Sequence, residues 1–336
     1  MKIFFHTFGC KVNQYETQLF REMYTSRGDK ITDNINSADL FIINSCTVTH
    51  QADSNCRQLL RRIIKTNPEK RIIVTGCYSA VNPGLIKTIS NKIEIIDKHS
   101  LLSTCSGYVT HITGFYKHSR AFIKIQDGCD AYCSYCIVPY VRNKIRSKQK
   151  NTVIDEINSL INNGYKEIVL CGIRLGRWND KNEKLSDLIS EIIKIDKNFI
   201  ISLSSIELNE IDDKLINLFS GNTKLRKHLH IPLQSGDDAI LKLMNRPYTS
   251  KEFTDKIKYI RSRIPDITVS TDIIVGFPGE NELQFNNTYN LAKNLKFNKI
   301  HVFRYSARPG TAASKLQNTC PSIEVKKRAS ILLKLQ

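Results

Sequence analysis

The chain has 336 residues, and its 50 lysine and arginine residues outnumber its 32 aspartate and glutamate residues, which gives a formal charge of +18. This length allows more than one hydrophobic core, so we expect two domains. The charge favours a polyanionic partner such as RNA, although a lysine-rich proteome also produces many basic proteins. The chain lacks a run of roughly 18 apolar residues, and its ten cysteines are too few for a disulfide scaffold.

The N-terminal third alternates short apolar runs with helical patterns. Strands are predicted at "KIFFH", "DLFIIN", "RIIVT" and "KIEIID". One helix is predicted from Gln14 to Gly28, and another begins near His50 and ends before Pro68, whose ring stops a helix. The alternation indicates a doubly wound parallel sheet. The first apolar run is typical of a strand and not of a secretion signal, so we expect a soluble, cytoplasmic protein.

Three dispersed cysteines, Cys10, Cys46 and Cys77, each follow one of these predicted strands. Ligands of open α/β sheets bind beyond the carboxyl ends of the strands. The three thiols are therefore predicted to converge on a three-thiolate site, with ordinary buried cysteines as the alternative. Cys56, by contrast, lies in a helical pattern and is predicted to pack in the core.

A compact triplet, Cys129, Cys133 and Cys136, has the spacing CxxxCxxC. Structural zinc and cubane 4Fe-4S centres normally take four protein ligands, so three thiolates leave one coordination position open for another molecule. A zinc loop is the alternative, and it is disfavoured because no fourth cysteine or histidine lies nearby. The spacing therefore indicates a reactive iron-sulfur centre.

Six further strands are predicted from residue 120 onward. They lie at "AFIKIQ", "EIVLCG", "FIISLSS", "HLHIPL", "DITVSTDIIVG" and "KIHVFRY", with helical segments between them. Six strands that begin at the cysteine loop predict an open (β/α)6 barrel, in which the carboxyl ends of the strands carry the function.

Several longer motifs resemble one family. They are "TFGCKVNQYET", "NSCTVTHQAD", "VTGCYSA", "IKIQDGCDAYCSYCIVPYVRNKIRS", "LSSIEL", "HLHIPLQSGDDAILKLMNRPYT", "STDIIVGFPGENELQF" and "FRYSARPGTAA", in family order from residue 7 to about 313. With Tyr135 before its last cysteine, the compact motif has the signature of radical S-adenosylmethionine (SAM) enzymes. The chain resembles the radical SAM methylthiotransferase family.

This resemblance implies two 4Fe-4S clusters and SAM as cofactors. The compact triplet would hold the cluster that binds and cleaves SAM, and the dispersed triplet would hold the cluster that carries a methylated sulfur. The implied reaction replaces a hydrogen atom on carbon 2 of adenine, a position without acid-base reactivity, so that a 5′-deoxyadenosyl radical is needed. No catalytic residue is assigned beyond the six cysteine ligands.

The residues expected to contact SAM are Tyr135, Gly172, Glu207, Gln234 and Gly276. A turn glycine or a solvated polar side chain is the alternative at each strand end. Arg142 and Arg146 are expected to contact the SAM carboxylate or RNA phosphate, and Asn143 stands where related enzymes often have glycine.

The resemblance also predicts the domain boundaries. A methylthiotransferase domain is expected over residues 1–105, a linker over 106–119 and a radical SAM domain over 120–320. A C-terminal helix is expected over 321–336, without the small TRAM domain that related chains carry.

The segment "GCKVNQYE" resembles the branch that acts on N6-threonylcarbamoyladenosine at position 37 of tRNAs that decode ANN codons. Isopentenyladenosine in tRNA, a ribosomal protein and a non-enzymatic iron-sulfur or RNA-binding role are the alternatives. We expect an electron donor such as flavodoxin or ferredoxin, no membrane partner, and a monomer.

Overall fold

The structure is a computed structural model that describes residues 1–103, 111–317 and 320–335. The chain forms two compact units. The first, here called the N-terminal unit, comprises Met1–Lys124, Tyr140–Asn143 and Asn151–Lys166. The second, here called the barrel unit, comprises Ile125–Pro139, Lys144–Lys150 and Glu167–Gln336. Two segments that follow the compact cysteine loop thus belong to the N-terminal unit.

The elements of the first hundred residues alternate between strand and helix. In chain order they are β1 (Lys2–Thr7), α1 (Lys11–Ser26), β2 (Lys30–Thr32), β3 (Leu40–Ser45), α2 (His50–Thr66), β4 (Arg71–Gly76), α3 (Cys77–Val81), α4 (Pro83–Lys87), β5 (Ile93–Ile95) and α5 (Lys98–Ser103). The strands form one parallel sheet in the order β2-β1-β3-β4-β5. The predicted doubly wound parallel sheet is confirmed.

Both faces of this sheet are covered by helices. Phe20 and Met23 of α1 pack with Leu101 of α5 against one face. On the other face, α2 contributes Cys56 and Leu60 to a fully buried cluster. The predicted packing role of Cys56 is therefore confirmed. Because the strand order reverses direction between β1 and β3, their carboxyl ends flank the crevice where such sheets bind ligands.

Two local features differ from the sequence prediction. Helix α1 begins at Lys11 and not at Gln14, because Cys10 itself occupies the N-cap position in an extended conformation. Strand β2 was not predicted, since three residues are too few to display a period. Of the predicted linker, residues 106–110 lie outside the described residues. The described remainder belongs to the N-terminal unit, where the Glu22 carboxylate accepts the backbone N–H groups of Thr113 and Gly114.

The remaining elements build the barrel. In chain order they are β6 (Ala121–Asp127), α6 (Val138–Val141), β7 (Arg146–Ser147), α7 (Lys150–Asn162), β8 (Glu167–Gly172), β9 (Asn179–Asp180), β10 (Glu183–Lys184), α8 (Leu185–Ile192), β11 (Ile200–Leu203), α9 (Asp213–Gly221), β12 (His228–His230), α10 (Asp238–Leu243), α11 (Ser250–Arg263), β13 (Thr268–Val275), α12 (Glu282–Leu295), β14 (Lys299–Arg304) and α13 (Ser322–Leu333). The six predicted barrel strands are present as β6, β8, β11, β12, β13 and β14.

These six strands belong to two sheets that are connected by a short stretch of backbone pairing. One sheet has the order β11-β8-β6-β7 and the other β12-β13-β14. Backbone pairing between Ile201 in β11 and Leu225, just before β12, joins them in parallel. This arrangement is the expected open (β/α)6 barrel. None of the described helices combines the length and apolar composition that crossing a bilayer requires.

Gly76, the last residue of β4, provides a test of how closely the strands approach each other. Its φ is +94°, and a Cβ there would lie 2.4 Å from the backbone oxygen of Ser45. Gly28, just past α1, has a similar φ of +85° but no atom within 4 Å of such a Cβ. Both alanine variants place a side chain at a positive φ, a strain that costs roughly 1–3 kcal/mol. Only Gly76→Ala adds a backbone collision.

We therefore expect Gly76→Ala to lower the thermal unfolding midpoint of the protein clearly more than Gly28→Ala does, as measured by scanning calorimetry. Equal midpoints for the two variants would contradict the close approach of β3 and β4.

Candidate functional site

The three dispersed cysteines lie at the carboxyl ends of three neighbouring strands of the N-terminal unit. Cys10 follows β1, Cys46 follows β3 directly, and Cys77 opens α3 immediately after β4. Since β3 lies between β1 and β4, Cys46 is in the middle of the row. The structure therefore places all three predicted ligands at one edge of the sheet.

Two glycines allow these strand ends to come together. A Cβ on Gly9 would lie 2.7 Å from both Cβ and Sγ of Cys46, and Gly9 has a φ of +95°. Gly76 approaches the backbone of Ser45, the residue before Cys46, in the same way. Each outer cysteine thus follows a glycine that contacts the segment carrying the central cysteine.

The thiols of this triplet are close enough to affect each other electrostatically. All three are free cysteines. The pKa of Cys46 is raised to about 12, mainly by burial and in part by the nearby Cys77 and Cys10 thiols. An uncompensated Cys46 thiolate is unfavourable here, so a positively charged centre is needed to hold this sulfur ionised.

A buried arginine contacts the same triplet. The Arg142 guanidinium donates from Nε to Cys77 Sγ at 3.4 Å, from Nη1 to Glu16 Oε1 at 2.8 Å and from Nη2 to Asn13 Oδ1 at 2.8 Å. Burial alone would raise the pKa of Glu16, but Arg142 and the ammonium groups of Lys124 and Lys98 hold this pKa well below its ordinary range. The Arg142 donors thus face Cys77 and the neighbouring Asn13 and Glu16. The expected contacts of Arg142 and Arg146 with SAM or RNA phosphate stay predictions.

Asn13 links this arginine to the strand ends. Its Nδ2 donates to the backbone oxygens of Phe8, at 2.9 Å, and Ser45, at 3.1 Å. Phe8 follows β1 and Ser45 ends β3, so one buried amide joins both strand ends to Arg142. Asn13 and Glu16 both belong to the segment "GCKVNQYE", which carried the branch resemblance.

The compact triplet lies on the loop that follows β6 in the barrel unit. Gln126 braces the start of this loop, because its Nε2 donates to the backbone oxygens of Asp127, at 2.9 Å, and Gly128, at 2.8 Å. Burial raises the pKa of Cys136 to about 12, and the Cys133 and Cys129 thiols contribute in the same direction. These three thiols are also free.

A second buried arginine contacts the compact triplet. Nη1 of Arg246 donates to Cys133 Sγ at 3.3 Å and to Glu207 Oε1 at 3.2 Å, and its Nη2 also binds Glu207. The Tyr248 hydroxyl accepts from Arg246 Nε at 3.0 Å. Burial alone lowers the pKa of Arg246, but the surrounding groups Tyr135, Tyr248 and Glu207 raise it well above its ordinary range. The guanidinium is therefore charged.

The donor sets suit iron-sulfur clusters better than single metal ions. Among the described residues, no group of three or more His, Cys, Asp or Glu side chains is placed to hold one metal ion. A cubane has a different requirement, since each of its thiolates binds a different iron atom and the sulfurs stay apart. Three free thiols and one cationic N–H donor directed at a sulfur fit such a cluster in both units.

The structure places the expected SAM-contacting residues on the barrel unit, with varied surroundings. Tyr135 packs beside Met244 and Phe277, and burial raises its pKa well above the ordinary value. Glu207 is engaged by Arg246. Gln234 has a φ of +68°, a strained conformation for a residue other than glycine, which is often found where a site requires it.

The two glycines of this set have close neighbours. A Cβ on Gly172 would lie 3.0 Å from the Gln126 side chain, and one on Gly276 would lie 2.4 Å from Cγ2 of Val325 in α13. Packing thus explains part of the requirement for glycine at both positions. The contacts of all five residues with SAM stay predictions.

Sequence reasoning missed several residues of these sites. Arg246, Gln126, Asn13 and Glu16 had no assigned role, although all four lie inside the motifs that carry the resemblance. A charged or amide side chain inside one of these motifs was the available signal. The partners that build the sites lie more than 30 residues away, since Asn13 and Glu16 bind Arg142 and Arg246 binds Glu207.

Comparison with known proteins supports this picture. A family model described as "Uncharacterized protein family UPF0004" matches residues 2–97, and the Radical SAM superfamily model matches residues 123–292. The threonylcarbamoyladenosine tRNA methylthiotransferase MtaB of Bacillus subtilis is 38% identical over 341 residues, covering 94% of this chain and 75% of that protein. MtaB of Aquifex aeolicus is 34% identical, covering 100% of this chain and 88% of that protein. A tRNA-2-methylthio-N(6)-dimethylallyladenosine synthase of Thermodesulfovibrio yellowstonii is also 34% identical, covering 99% of this chain and 83% of that protein.

Solved structures share the fold of the whole chain. The radical SAM methyltransferase TsrM of Kitasatospora setae has a TM-score of 0.68 and 12% identity, covering 93% of this chain and 76% of TsrM. The cobalamin-dependent radical SAM enzyme OxsB has a TM-score of 0.62 and 10% identity. This match covers 99% of this chain and 56% of the OxsB chain. At these identities the likeness concerns the fold alone. The family models and the relatives show that the chain belongs to the radical SAM methylthiotransferase family, enzymes that use SAM and 4Fe-4S clusters.

Proposed function

We propose that this enzyme methylthiolates carbon 2 of N6-threonylcarbamoyladenosine at position 37 of tRNA and that it uses two 4Fe-4S clusters. The observation that carries this proposal is the presence of two separate sites, each with three free cysteines and one buried arginine that donates to a cysteine sulfur. One site would serve SAM cleavage and the other sulfur delivery. The relatives named MtaB support the threonylcarbamoyl substrate.

The residues of each site would have distinct tasks. When bound, SAM and the cluster on Cys129, Cys133 and Cys136 supply the radical that removes hydrogen from the adenine carbon. Cys10, Cys46 and Cys77 hold the second cluster at the edge of the parallel sheet. The arginines stay protonated and orient the sulfurs, since each is fixed by a glutamate. The electron would come from flavodoxin or ferredoxin, and the enzyme would act as a cytoplasmic monomer.

A second substrate has direct support. Relatives named tRNA-2-methylthio-N(6)-dimethylallyladenosine synthase match the chain at 32–34% identity over nearly its whole length. An isopentenyl group is apolar and a threonylcarbamoyl group carries a carboxylate, so the two modified tRNAs differ chemically at the adenine N6 substituent. Assay of both substrates distinguishes the proposals.

Iron content and SAM cleavage test the two-cluster arrangement. Anaerobically reconstituted protein should contain about eight irons per chain, since each cubane holds four. Cys136→Ala and Cys77→Ala should each lose about half of this iron. Because only the compact triplet is proposed to bind SAM, Cys136→Ala should abolish 5′-deoxyadenosine formation, whereas Cys77→Ala should keep it and lose sulfur insertion. Cys56→Ala, a core cysteine outside both sites, is the control. A wild-type protein that reconstitutes with only about four irons per chain would contradict the two-cluster arrangement.

The role of Arg246 can be read from the reduction potential of the compact cluster, measured without SAM by EPR-monitored titration. A cationic donor to a ligand sulfur stabilises the reduced cluster, so Arg246→Met should lower the potential. Glu207→Gln removes a negative charge beside the same cluster and should raise it. Arg226→Met breaks another arginine-glutamate pair of the barrel unit, with Glu167, and should leave the potential unchanged. Shifts of the same sign in Arg246→Met and Glu207→Gln would contradict an electrostatic role.

Substrate choice is tested with two tRNAs that differ only at position 37. With threonylcarbamoyl-modified tRNA, nucleoside mass spectrometry should detect the methylthio product, and with isopentenyl-modified tRNA it should detect much less. Incubation with ribosomal protein is the third arm. Product only from the isopentenyl tRNA or from the protein would overturn the substrate assignment and leave the two-cluster arrangement standing.

A further inference from the structure

Helix α2 of the N-terminal unit has two chemically different faces. Cys56, Leu60 and Ile63 are fully buried in the core beneath it. Its opposite side exposes three cationic residues in the C-terminal half of the helix, here called the α2 basic face: Arg61, Arg62 and Lys65.

None of the acidic side chains that the structure describes pairs with this face. The only acid on α2, Asp53, is buried and accepts a hydrogen bond from the Thr47 hydroxyl at 2.8 Å. Within the described part of the chain, the side chains of Arg61, Arg62 and Lys65 form no ion pair and no hydrogen bond. The three positive charges therefore face solvent together.

The like charges of this face repel each other in the isolated protein. Arg61 and Lys65 are four residues apart and Arg62 and Lys65 are three apart, so both pairs are neighbours on the helix surface. Each like-charge pair destabilises a helix by about 0.2–0.5 kcal/mol. The favourable position of Lys65 near the negative end of the helix dipole contributes about 0.3–1 kcal/mol, which is of the same size as this repulsion. A bound polyanion would convert the repulsion into attraction.

Helix α11, which is also basic, differs from α2 in that most of its cations are paired within the protein. Lys251 pairs with Asp255 on the same helix, and Arg261 donates to the backbone oxygen of Lys296 at 3.1 Å. Arg263 donates to Asn217 Oδ1 at 3.1 Å. On α11 most cations have a partner within the protein, whereas on the α2 basic face none does.

We propose that the α2 basic face binds backbone phosphates of the RNA substrate. This inference rests on the proposed function, which supplies the RNA. Two of the three residues are arginine, although the chain has 32 lysines and only 18 arginines. The planar guanidinium can bind a phosphate through two parallel hydrogen bonds, so arginine is the better residue for this task.

The position of the helix fits a contact away from the modified base. Helix α2 begins four residues after Cys46, and Arg61 lies about 17 Å along the helix axis from His50. Phosphates bound by the α2 basic face would thus belong to nucleotides at some distance from the one held near the cysteines. Such contacts fix the register of the RNA and carry no sequence information.

An anionic membrane is a poorer partner for the same face. Helices that lie on a bilayer insert an apolar side between the lipid headgroups. The apolar residues of α2 are packed into the core cluster instead, with Leu59 and Ile64 partly buried against it. Only the polar side of the helix is available, and that favours phosphate contacts in solution.

The test compares two triple charge reversals in the reconstituted holoenzyme. Arg61→Glu/Arg62→Glu/Lys65→Glu changes the α2 basic face, and Lys251→Glu/Lys256→Glu/Lys258→Glu makes the same change in net charge on α11. Binding of an unmodified tRNA transcript is measured at several salt concentrations. The α2 variant should bind at least about tenfold more weakly than wild type, and the slope of log K against log salt should fall by about two to three, one contact for each lost cation. The α11 variant should stay near wild type.

SAM cleavage without RNA verifies the compact cluster in both variants. An iron content of about eight per chain and a wild-type thermal unfolding midpoint verify that the N-terminal unit, which carries α2, is folded. Wild-type affinity and slope in the α2 variant would overturn the proposal, as would equal losses in both variants. If the α2 variant keeps RNA binding but loses binding to phosphatidylserine vesicles, the face serves lipid and the proposal is wrong. A wild-type protein that binds no tRNA defeats the RNA substrate itself, a result distinguishable from failure of this surface alone.

Discussion

The close approach of parallel strand ends in the N-terminal unit is the constraint on which its site depends. Parallel strands all end at the same edge of the sheet, so residues that are 31 to 36 positions apart in sequence become neighbours there. Neighbouring strands are spaced by about 4.8 Å, and thiols on three of them can surround one inorganic centre only if the connecting backbone stays close. Gly9 and Gly76 satisfy this requirement because a Cβ at either position would collide with the segment that carries Cys46.

A buried charge then has to be stabilised beside the thiols. An isolated guanidinium in a protein interior is highly unfavourable, so Arg142 and Arg246 are tolerated only because Glu16 and Glu207 bind them. The same chemical arrangement occurs in two units with different folds. In the N-terminal unit the glutamate comes from a helix, and in the barrel unit it follows a strand. The recurrence indicates that the chemistry of the cysteine sites, and not the fold, requires an arginine there.

The sequence predicted the positions of most long strands well, because the signal for a strand is local. Apolar runs such as "DLFIIN" and "RIIVT" correspond to β3 and β4, and Pro68 marks the end of α2 as expected. The short strand β2 gave no such signal. The position of Arg142 was not predictable from local pattern, since its partners Asn13 and Glu16 lie more than 120 residues away. A residue that follows a motif in sequence is easily assigned to that motif. Arg142 follows Cys136 of the compact triplet by six residues, yet it contacts Cys77 of the dispersed triplet.

The contacts of Arg142 with Asn13 and Glu16 change how the segment "GCKVNQYE" should be interpreted as evidence about the substrate. Asn13 holds two strand ends and Arg142, Glu16 neutralises that arginine, and Cys10 is one of the three thiols. These residues shape the sulfur site and are turned toward the protein. Likeness in this segment is therefore strong evidence that the site is constructed in the same way as in the relatives. It is weaker evidence about the adenine substituent. The hydrogen-bond donors of these residues bind other protein groups, so the same donors do not recognise a substrate.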